Sequence, residues 1–357
     1  MSFYKIIRPL IFKLDPEKAH NLAIDFLRFC PKAASLLTLN RDYNNLHLKL
    51  WDIDFKNPTG MAAGFDKNAQ TALTLEKFGF GFIECGTVTP LPQKGNPLPR
   101  IFRLAKDKAI INRLGFNNLG ADVFAENIAA TLPKLSTPLG INIGKNKDTQ
   151  DALTDYLPLL ERFYESASYI TLNISSPNTK NLRELQKEDH LDLFLREIMQ
   201  KKRELQQKSG KNKPILLKVA PDLTIGEQEV IAAISLKNQI DGLIISNTTI
   251  DRDLTLKSSG VFETGGLSGR PLLTKSNEVL SNFYKFTKGE IPLIGVGGVA
   301  SAEDAYEKIK CGASLVQIYS AFIYEGFGLV EDVKKGLSKK LEADGFSNIL
   351  DAVGVAN

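Results

Sequence analysis

Short apolar runs alternate along most of the chain with segments whose apolar residues recur every three to four positions. The runs predict buried strands, and the longer period predicts amphipathic helices. The predicted strands are Pro58–Ala63, Phe82–Val88, Leu139–Gly144, Tyr169–Ser175, Ile215–Ala220, Gly242–Thr248, Leu293–Val299 and Leu315–Ala321. The predicted helices between them include Asn68–Phe78, Asp148–Ser166, Asp189–Gln207, Thr224–Asn238 and Ala302–Lys310.

Strands that are apolar throughout and alternate with helices indicate a parallel sheet covered on both faces. The eight predicted strands favour a closed (β/α)8 barrel, the TIM barrel of the α/β class, with a doubly wound open sheet as the alternative. Leu46–Phe55 and Arg100–Arg113 interrupt the alternation, and both are predicted to form β-hairpins. Residues 41–357 are therefore expected to form the barrel.

The first forty residues follow a different pattern, which predicts two amphipathic helices. The apolar stripe of the first helix is Phe3, Ile6, Ile7, Leu10, Ile11 and Leu14, and that of the second is Leu22, Ala23, Phe26, Leu27 and Cys30. Asp15 followed by Pro16 is a helix N-cap with proline in the first turn, and Pro31 ends the second helix. Residues 1–40 form a helical extension whose stripes either bury against the protein body or lie in a membrane interface.

Charge is concentrated in the same region. The net charge of +4 is carried by residues 1–49, which hold eight Lys or Arg and four Asp or Glu. A local positive balance fits contact with an anionic surface, whereas the neutral remainder offers no footprint for nucleic acid. No apolar run is long enough to span a bilayer. The three cysteines lack paired spacing, which disfavours disulfides and a zinc site.

Polar residues gather at the carboxyl ends of the predicted strands, where barrels of this kind place their active sites. In strand order they are Asp66 and Lys67, Thr87 and Thr89, Asn142 and Lys145, Asn173 to Thr179, Lys218, Ser246 to Thr249, Gly297 and Gly298, and Tyr319 and Ser320. Carboxylates and histidines are scarce among them, which disfavours metal hydrolysis and glycoside cleavage. The set suits a planar anionic ligand with many hydrogen bonds, and no metal is expected.

Two loops at the end of the barrel indicate a phosphate. Gly297-Gly298 after the seventh strand and Tyr319-Ser320 after the eighth occupy the usual phosphate cradle of such barrels. FMN would supply this phosphate, and a sugar phosphate would do so equally.

Several longer motifs together resemble the dihydroorotate dehydrogenases. They are Ala62-Ala63-Gly64-Phe65-Asp66-Lys67, Glu84-Cys85-Gly86-Thr87-Val88-Thr89-Pro90, Asn112-Arg113-Leu114-Gly115-Phe116-Asn117, Gly140-Ile141-Asn142-Ile143-Gly144-Lys145-Asn146, Asn173-Ile174-Ser175-Ser176-Pro177-Asn178-Thr179, Ser246-Asn247-Thr248-Thr249 and Gly265-Gly266-Leu267-Ser268-Gly269-Arg270-Pro271. The resemblance implies one non-covalent FMN per chain and oxidation of dihydroorotate to orotate in pyrimidine synthesis. Ser246 departs from it slightly, because relatives often carry threonine there.

Two features resemble the quinone-dependent, membrane-associated class of that family. Its soluble class carries a cysteine in the loop after the fourth strand, whereas this chain has Ser176. The extension over residues 1–40 is similar to the one that forms a quinone tunnel in the quinone-dependent class. The resemblance therefore favours the membrane interface for the helical stripes, with a membrane quinone as electron acceptor.

The resemblance also implies roles for single residues. Ser176 would take the C5 proton of dihydroorotate while hydride leaves C6, passing the proton on through water and Thr179; Lys218 would stabilise the reduced flavin. FMN contacts are expected from Ala63, Gly64, Thr87, Asn142, Asn173, Lys218, Ser246, Gly269, Gly298, Tyr319 and Ser320. Substrate contacts are expected from Lys67, Asn112, Arg113, Leu114, Gly115, Phe116, Asn173, Asn178, Asn247 and Thr248. His20, Arg103 and Tyr319 match positions of the quinone site.

The expected partners are dihydroorotate or orotate, a membrane quinone and the membrane surface, with no nucleic acid. The chain is expected to be a monomer or weak dimer, peripheral on the cytoplasmic side of the inner cell membrane if its source is bacterial. Rival interpretations are a soluble-class enzyme, another FMN barrel such as a dihydrouridine synthase, a phosphate-binding isomerase without flavin, and a catalytically silent membrane-surface protein. A dihydrouridine synthase would need a basic surface for RNA, which the neutral barrel does not provide.

Overall fold

The computed structural model describes residues 3–32, 36, 39–179, 181–252 and 255–357. Its strands are β1 (Leu48–Leu50), β2 (Ile53–Phe55), β3 (Thr59–Met61), β4 (Phe82–Val88), β5 (Ile101–Leu104), β6 (Ala109–Asn112), β7 (Leu139–Ile143), β8 (Tyr169–Asn173), β9 (Ile215–Val219), β10 (Gly242–Ile245), β11 (Gly266–Gly269), β12 (Leu293–Val296) and β13 (Ala313–Ile318). Its helices are α1 (Phe3–Ile11), α2 (Pro16–Phe29), α3 (Ala72–Lys77), α4 (Gly120–Thr131), α5 (Leu153–Phe163), α6 (Glu188–Ser209), α7 (Ile225–Lys237), α8 (Leu273–Phe286), α9 (Ala302–Lys310), α10 (Ser320–Glu325) and α11 (Leu329–Asp344).

A closed parallel barrel forms the body of the protein. Its strands follow one another as β3, β4, β7, β8, β9, β10, β12 and β13, and β13 pairs with β3 to complete the ring. Nearly all of their residues are buried, which is why their sequences are apolar throughout rather than alternating. The (β/α)8 prediction is confirmed, and the doubly wound alternative is wrong.

The predicted strands and helices are mostly longer than the observed ones. The sixth barrel strand ends at Ile245 rather than Thr248, and the seventh ends at Val296 rather than Val299. The helix predicted from Asn68 begins at Ala72, because Asp66 binds the intervening backbone as a loop. The polar strand ends thus belong to loops, which leaves their side chains free to turn into the barrel mouth.

Both predicted hairpins are present. β1 and β2 pair antiparallel at the barrel base, and β5 and β6 pair antiparallel beside the mouth. A third strand, β11, joins β6 on its other side, with Gly266 opposite Asn112. This strand was not predicted, since its sequence Gly-Leu-Ser-Gly has little strand propensity of its own.

Helices α1 and α2 dock on the barrel mainly through side chains that do not belong to their predicted apolar stripes. Tyr4 and Arg8 donate hydrogen bonds to carbonyls of α10, each at 2.6 Å, and Leu27 of the second stripe is buried beneath α2. Five large apolar side chains of the stripes stay 37–65% exposed, namely Ile6, Leu10, Leu14, Leu22 and Phe26, whereas Ile7 and Ile11 are partly buried. The capping prediction is confirmed, because the Asp15 carboxylate accepts from the first backbone amides of α2.

None of the helices described is long and apolar enough to pass through a bilayer.

Candidate active site

A cleft of about 1230 Å³, open to solvent, lies at the carboxyl end of the barrel strands. Most of the predicted site residues line it: Ala63, Gly64, Lys67, Thr87, Asn112, Leu114, Gly115, Phe116, Asn173, Ser176, Asn178, Lys218, Ser246, Asn247, Thr248, Gly269, Gly298, Tyr319 and Ser320. Asn142, Thr179, Arg113, His20 and Arg103 lie outside this lining. The cleft is large enough for a drug-sized ligand and is lined by residues on or directly after every barrel strand except β7.

The floor of the cleft is a hydrogen-bonded layer of amides and hydroxyls. Thr87 donates to the Asn142 side-chain oxygen at 2.5 Å, and the Asn173 amide donates to Thr87 at 2.9 Å. The Asn247 amide in turn donates to Ser175 at 3.0 Å. Asn142 therefore does not line the cleft itself but fixes two residues that do. Such a network holds its donors and acceptors in one arrangement before any ligand arrives.

Below this layer a carboxylate lies in the barrel interior. Glu84 is fully buried and accepts from Asn142 at 2.8 Å, from Gln317 at 2.8 Å and from Tyr169 at 3.1 Å. Glu84 has no role predicted from the sequence, although it lies within one of the motifs named above. Its one signal was an acidic residue inside an otherwise apolar run, which is costly unless it is well bonded.

Ser176 and Thr179 lie in the loop that follows β8. Ser176 is 6% exposed and faces the cleft. Its hydroxyl oxygen accepts from the backbone N–H of Asn178 at 3.3 Å. The Thr179 hydroxyl is buried without a hydrogen-bond partner in the part of the chain that the structure describes. An unpartnered buried hydroxyl near a cleft is a place where water can complete a hydrogen-bonded path.

Lys218 projects from β9 into the cleft. It is 5% exposed, and burial lowers its pKa, a shift that the Glu84 carboxylate partly opposes. No described group accepts a hydrogen bond from its ammonium, so the cation is left to face a ligand. A buried ammonium without a partner is unfavourable, which indicates that a ligand oxygen completes its environment.

Lys67 enters the cleft from the loop after β3. The neighbouring Asp66 carboxylate accepts from the backbone amides of Gln70 and Thr71, which fixes the loop that presents the lysine. Burial lowers the pKa of Lys67 to about 8, while Glu17 and Asp66 act against that shift. At neutral pH Lys67 is therefore a protonated, poorly solvated cation suited to a carboxylate.

The segment from Asn112 to Phe116 covers one side of the cleft. Asn178 donates to the Asn112 carbonyl at 3.1 Å, which joins this segment to the loop that carries Ser176. Leu114, Gly115 and Phe116 line the cleft, but Arg113 turns outwards to Glu263, at 2.7 Å. Its guanidinium also stacks on Phe102, so it is held away from the cleft, in contrast to the expected direct contact.

Two glycines form a cradle at the end of β12. Gly297 and Gly298 have φ values of +110° and +78°, and a Cβ on Gly298 would lie 2.5 Å from the Leu273 backbone. Their amide N–H groups have no acceptor among the described residues. Backbone amides at such a turn suit a phosphate, and together with Lys218 the arrangement fits FMN.

The three residues expected at the quinone site lie in different surroundings. His20 packs edge-on against Phe65, which packs in turn against Tyr319, so an aromatic contact path runs from α2 to the cleft. Burial, and to a lesser degree Lys67, lower the pKa of His20 to about 3, which keeps the imidazole neutral. Arg103 instead stacks over Phe12 and donates to the Leu14 carbonyl between the two helices.

Sequence reasoning missed the ion-pair cluster beside the Ser176 loop. Arg183 donates to the Ser175 carbonyl at 3.0 Å and the Thr248 carbonyl at 3.2 Å, and pairs with Asp222 at 3.0 Å. It thereby joins the loops after β8 and β10. No local sequence signal marks Arg183, because its partners are distant in sequence.

Comparison with known proteins gives a consistent result. The sequence model of the family described as "Dihydroorotate dehydrogenase" matches residues 45–341. A protein of Rhodopseudomonas palustris strain BisA53 is 45% identical over 354 residues, covering 99% of this chain and 96% of its own length. One of Rhodospirillum rubrum is 47% identical over 356 residues, covering 99% and 94%. Both are named "Dihydroorotate dehydrogenase (quinone)".

A solved structure agrees with these sequence matches. The DHODH of Eimeria tenella, crystallised in complex with ferulenol, superimposes with a TM-score of 0.90 at 41% sequence identity. The alignment covers 96% of this chain and 95% of that one. From its barrel, its cleft and this agreement over nearly its whole length, the chain belongs to the dihydroorotate dehydrogenase family.

Proposed function

We propose that this chain oxidises dihydroorotate to orotate with bound FMN and passes the electrons to a membrane quinone. The observation that carries the proposal is the convergence of Ser176, Lys218 and Lys67 on one cleft beside the glycine cradle. The relatives that cover almost the whole chain carry the quinone-dependent name. The reaction itself serves pyrimidine synthesis.

Each polar group of the cleft has a defined task in this proposal. Lys67 binds the substrate carboxylate, and the amides of Asn112, Asn178 and Asn247 match the donors and acceptors of the ring. Ser176 accepts the C5 proton. A serine hydroxyl is a weak base, so it passes its own proton onward, through water, to the unpartnered hydroxyl of Thr179.

The residues present would hold FMN at the opposite side of the cleft. Gly297, Gly298 and Ser320 would surround its phosphate, and Thr87 and Asn173 would contact its ring. When bound, FMN supplies the acceptor for the hydride that leaves C6 of the substrate. Lys218 provides a fixed positive charge where the reduced ring system gains negative charge.

The substrate half of the proposal is tested by flavin reduction. Purified protein should show a flavin absorbance spectrum that bleaches when dihydroorotate is added without oxygen. Ser176→Ala should retain the flavin but slow bleaching at least a hundredfold, within the range of lost general-base catalysis. Ser235→Ala, which alters a buried hydroxyl on α7, is the matched control and should bleach at the parent rate. Equal rates for both variants would remove Ser176 from the reaction.

The acceptor half of the proposal rests on the extension. His20 and Tyr319 would line the quinone route along the aromatic path through Phe65, with Arg103 holding the two helices at its entrance. Because its pKa is about 3, the neutral His20 can donate to a quinone carbonyl or accept from the hydroxyl of the reduced quinol without carrying charge.

The exposed apolar stripes and the local positive charge support a peripheral position on an anionic membrane, on its cytoplasmic side in a bacterial cell. Leu10→Asp and Phe29→Asp should weaken co-sedimentation with anionic vesicles, since they place charge on apolar side chains of α1 and α2 that are 65% and 68% exposed. Phe262→Asp changes an apolar residue outside the extension that is 83% exposed, and it should leave binding unchanged. Equal loss in all three variants would contradict a membrane face on the extension.

A further inference from the structure

Lys308 is a buried cation that the proposed reaction does not use. It projects from α9, is fully buried, and lies against the outer side of β12, where a Cβ on Gly295 would lie 2.5 Å from its Cδ. Its ammonium donates to the Ser276 hydroxyl at 2.8 Å and to the Asn277 side-chain oxygen at 2.7 Å. Both partners are neutral.

Two other buried lysines, on the outer helices, each have a carboxylate partner. Lys202 contacts both oxygens of Asp241 at 2.7 Å, and Lys334 lies 3.1 Å from Glu331. Lys308 forms no ion pair with any carboxylate of the described residues. Asp304, one turn away on the same helix, is instead bound by Arg270 at 3.0 Å. A fully buried ammonium surrounded by neutral groups is electrostatically incomplete.

A short hydrogen-bonded path joins this cation to the glycine cradle. Ser276 accepts from Lys308, and its hydroxyl lies 3.0 Å from the Gly297 carbonyl, to which it can donate. The next peptide, at Gly298, is packed against the first turn of α8. Lys308 therefore lies behind the wall of the cleft that carries the free amides of Gly297 and Gly298.

We propose that Lys308 is the buried countercharge of the ligand's phosphate group, acting across the cradle through Ser276 and the Gly297 peptide. It is a positioning residue that does not touch the ligand. The anion supplies the missing negative charge, and the cation strengthens a cradle that otherwise offers only neutral amides. Because charges separated by protein rather than water are weakly screened, the attraction persists across one intervening peptide layer.

The arrangement also explains the direction of the Gly297 peptide. A serine hydroxyl has one proton to donate, and the Lys308 ammonium occupies its acceptor side. The hydroxyl is thereby directed toward the two carbonyls within its reach, that of Leu273 at 2.9 Å and that of Gly297 at 3.0 Å, so the Gly297 carbonyl faces the Lys308 side of the cradle. Burial lowers the pKa of Lys308 to about 7, and Cys311 and Asp304 oppose this shift.

The inference rests on the proposal that the phosphate belongs to FMN, and a comparison of two flavins tests it. Each protein is loaded with FMN or, by exchange against an excess, with riboflavin, which lacks the phosphate. The dissociation constant is then read from the fluorescence of flavin released on dilution. Lys308→Met should raise the constant for FMN about tenfold, the effect of one partly screened charge, and that for riboflavin less than about twofold.

Two further variants separate charge from packing. Lys308→Gln keeps a side-chain donor for Ser276 but removes the charge, and it should also weaken FMN selectively. Lys202→Met removes a buried lysine at the other end of the barrel and should lower thermal stability without changing the preference for FMN over riboflavin. Equal weakening of both flavins in the Lys308 variants, or unchanged FMN binding, would overturn the proposal. Failure of the parent protein to bind either flavin would instead overturn the proposed function.

Discussion

Arg183 offers a direct test of how the cleft holds its proposed base. Its guanidinium fork joins the Ser175 carbonyl, next to Ser176, to the Thr248 carbonyl on the facing loop. Replacing it by methionine removes both bonds while keeping a side chain of similar length. We expect Ser176 to lose its fixed position relative to the substrate.

The structure gives the size of this effect. Each lost bond has a charged donor and contributes about 1.5 kcal/mol, so the two together contribute about 3 kcal/mol. Asp222 does not become an unpaired buried charge, because Lys275 remains 2.9 Å away and the Ile250 amide still donates to it. If the whole difference appears in the barrier, flavin reduction slows about a hundredfold, since each factor of ten corresponds to about 1.36 kcal/mol.

The assay is anaerobic stopped-flow bleaching of the flavin by dihydroorotate. Arg183→Lys keeps the ion pair with Asp222 but cannot reach both carbonyls, so it should slow bleaching by about tenfold. Arg162→Met is the control: its pair with Asp122 is exposed and should contribute nothing to the rate. All variants should retain FMN. Parent-like bleaching by Arg183→Met, or a loss of rate that only follows loss of FMN, would refute the positioning role.

Three further predictions concern the substrate cation, the extension and the cradle. The carboxylate of orotate binds the protonated form of Lys67, whose pKa is about 8. The orotate dissociation constant, measured from flavin absorbance, should therefore be constant below pH 7 and rise towards tenfold per pH unit above pH 8. A dissociation constant that does not change from pH 6 to 9 would contradict this. Glu17→Gln breaks a mostly buried ion pair with Arg100, at 2.6 Å, which contributes about 2 kcal/mol. Amide hydrogen exchange in α2 should therefore become at least tenfold faster, and unchanged exchange would show that the pair does not anchor α2 to the barrel. Gly298→Ala places a Cβ against the Leu273 backbone at positive φ and should lower FMN affinity at least tenfold. Gly226→Ala, where a Cβ meets open space, should leave FMN affinity unchanged. Equal FMN affinity in the two variants would show that the cradle does not bind FMN.

Much of the fold follows from local sequence. The apolar runs predict every barrel strand because both faces of each strand are covered, and the cap at Asp15 predicts the start of α2 because its side chain satisfies free amides there. The strand ends are predicted less well. Ser246 to Thr248 follow the apolar run Leu243–Ile245 and are predicted to be part of its strand, yet they leave the sheet, and Asn247 bonds across the cleft floor to Ser175.

The missed features depend on contacts between distant residues. β11 exists because β6 offers it an edge, and nothing in Gly266–Gly269 alone indicates a strand. In the sequence Arg183 and Lys308 cannot be distinguished from ordinary loop or helical cations, because Asp222 and Ser276, which they contact, lie near them only in the folded chain. Arg113 lies in a segment that does line the cleft, but its ion pair with Glu263 turns its side chain outward.

The central claim joins a flavin barrel to a quinone through the extension, and a comparison of acceptors tests it most directly. Enzyme reduced by dihydroorotate without oxygen is mixed with a quinone analogue, with fumarate or with NAD, and the return of flavin absorbance is followed. The account predicts rapid reoxidation by the quinone alone, slowed when Tyr319, at the cleft end of the aromatic path, is replaced by alanine. Reoxidation by fumarate or NAD but not by the quinone would contradict it.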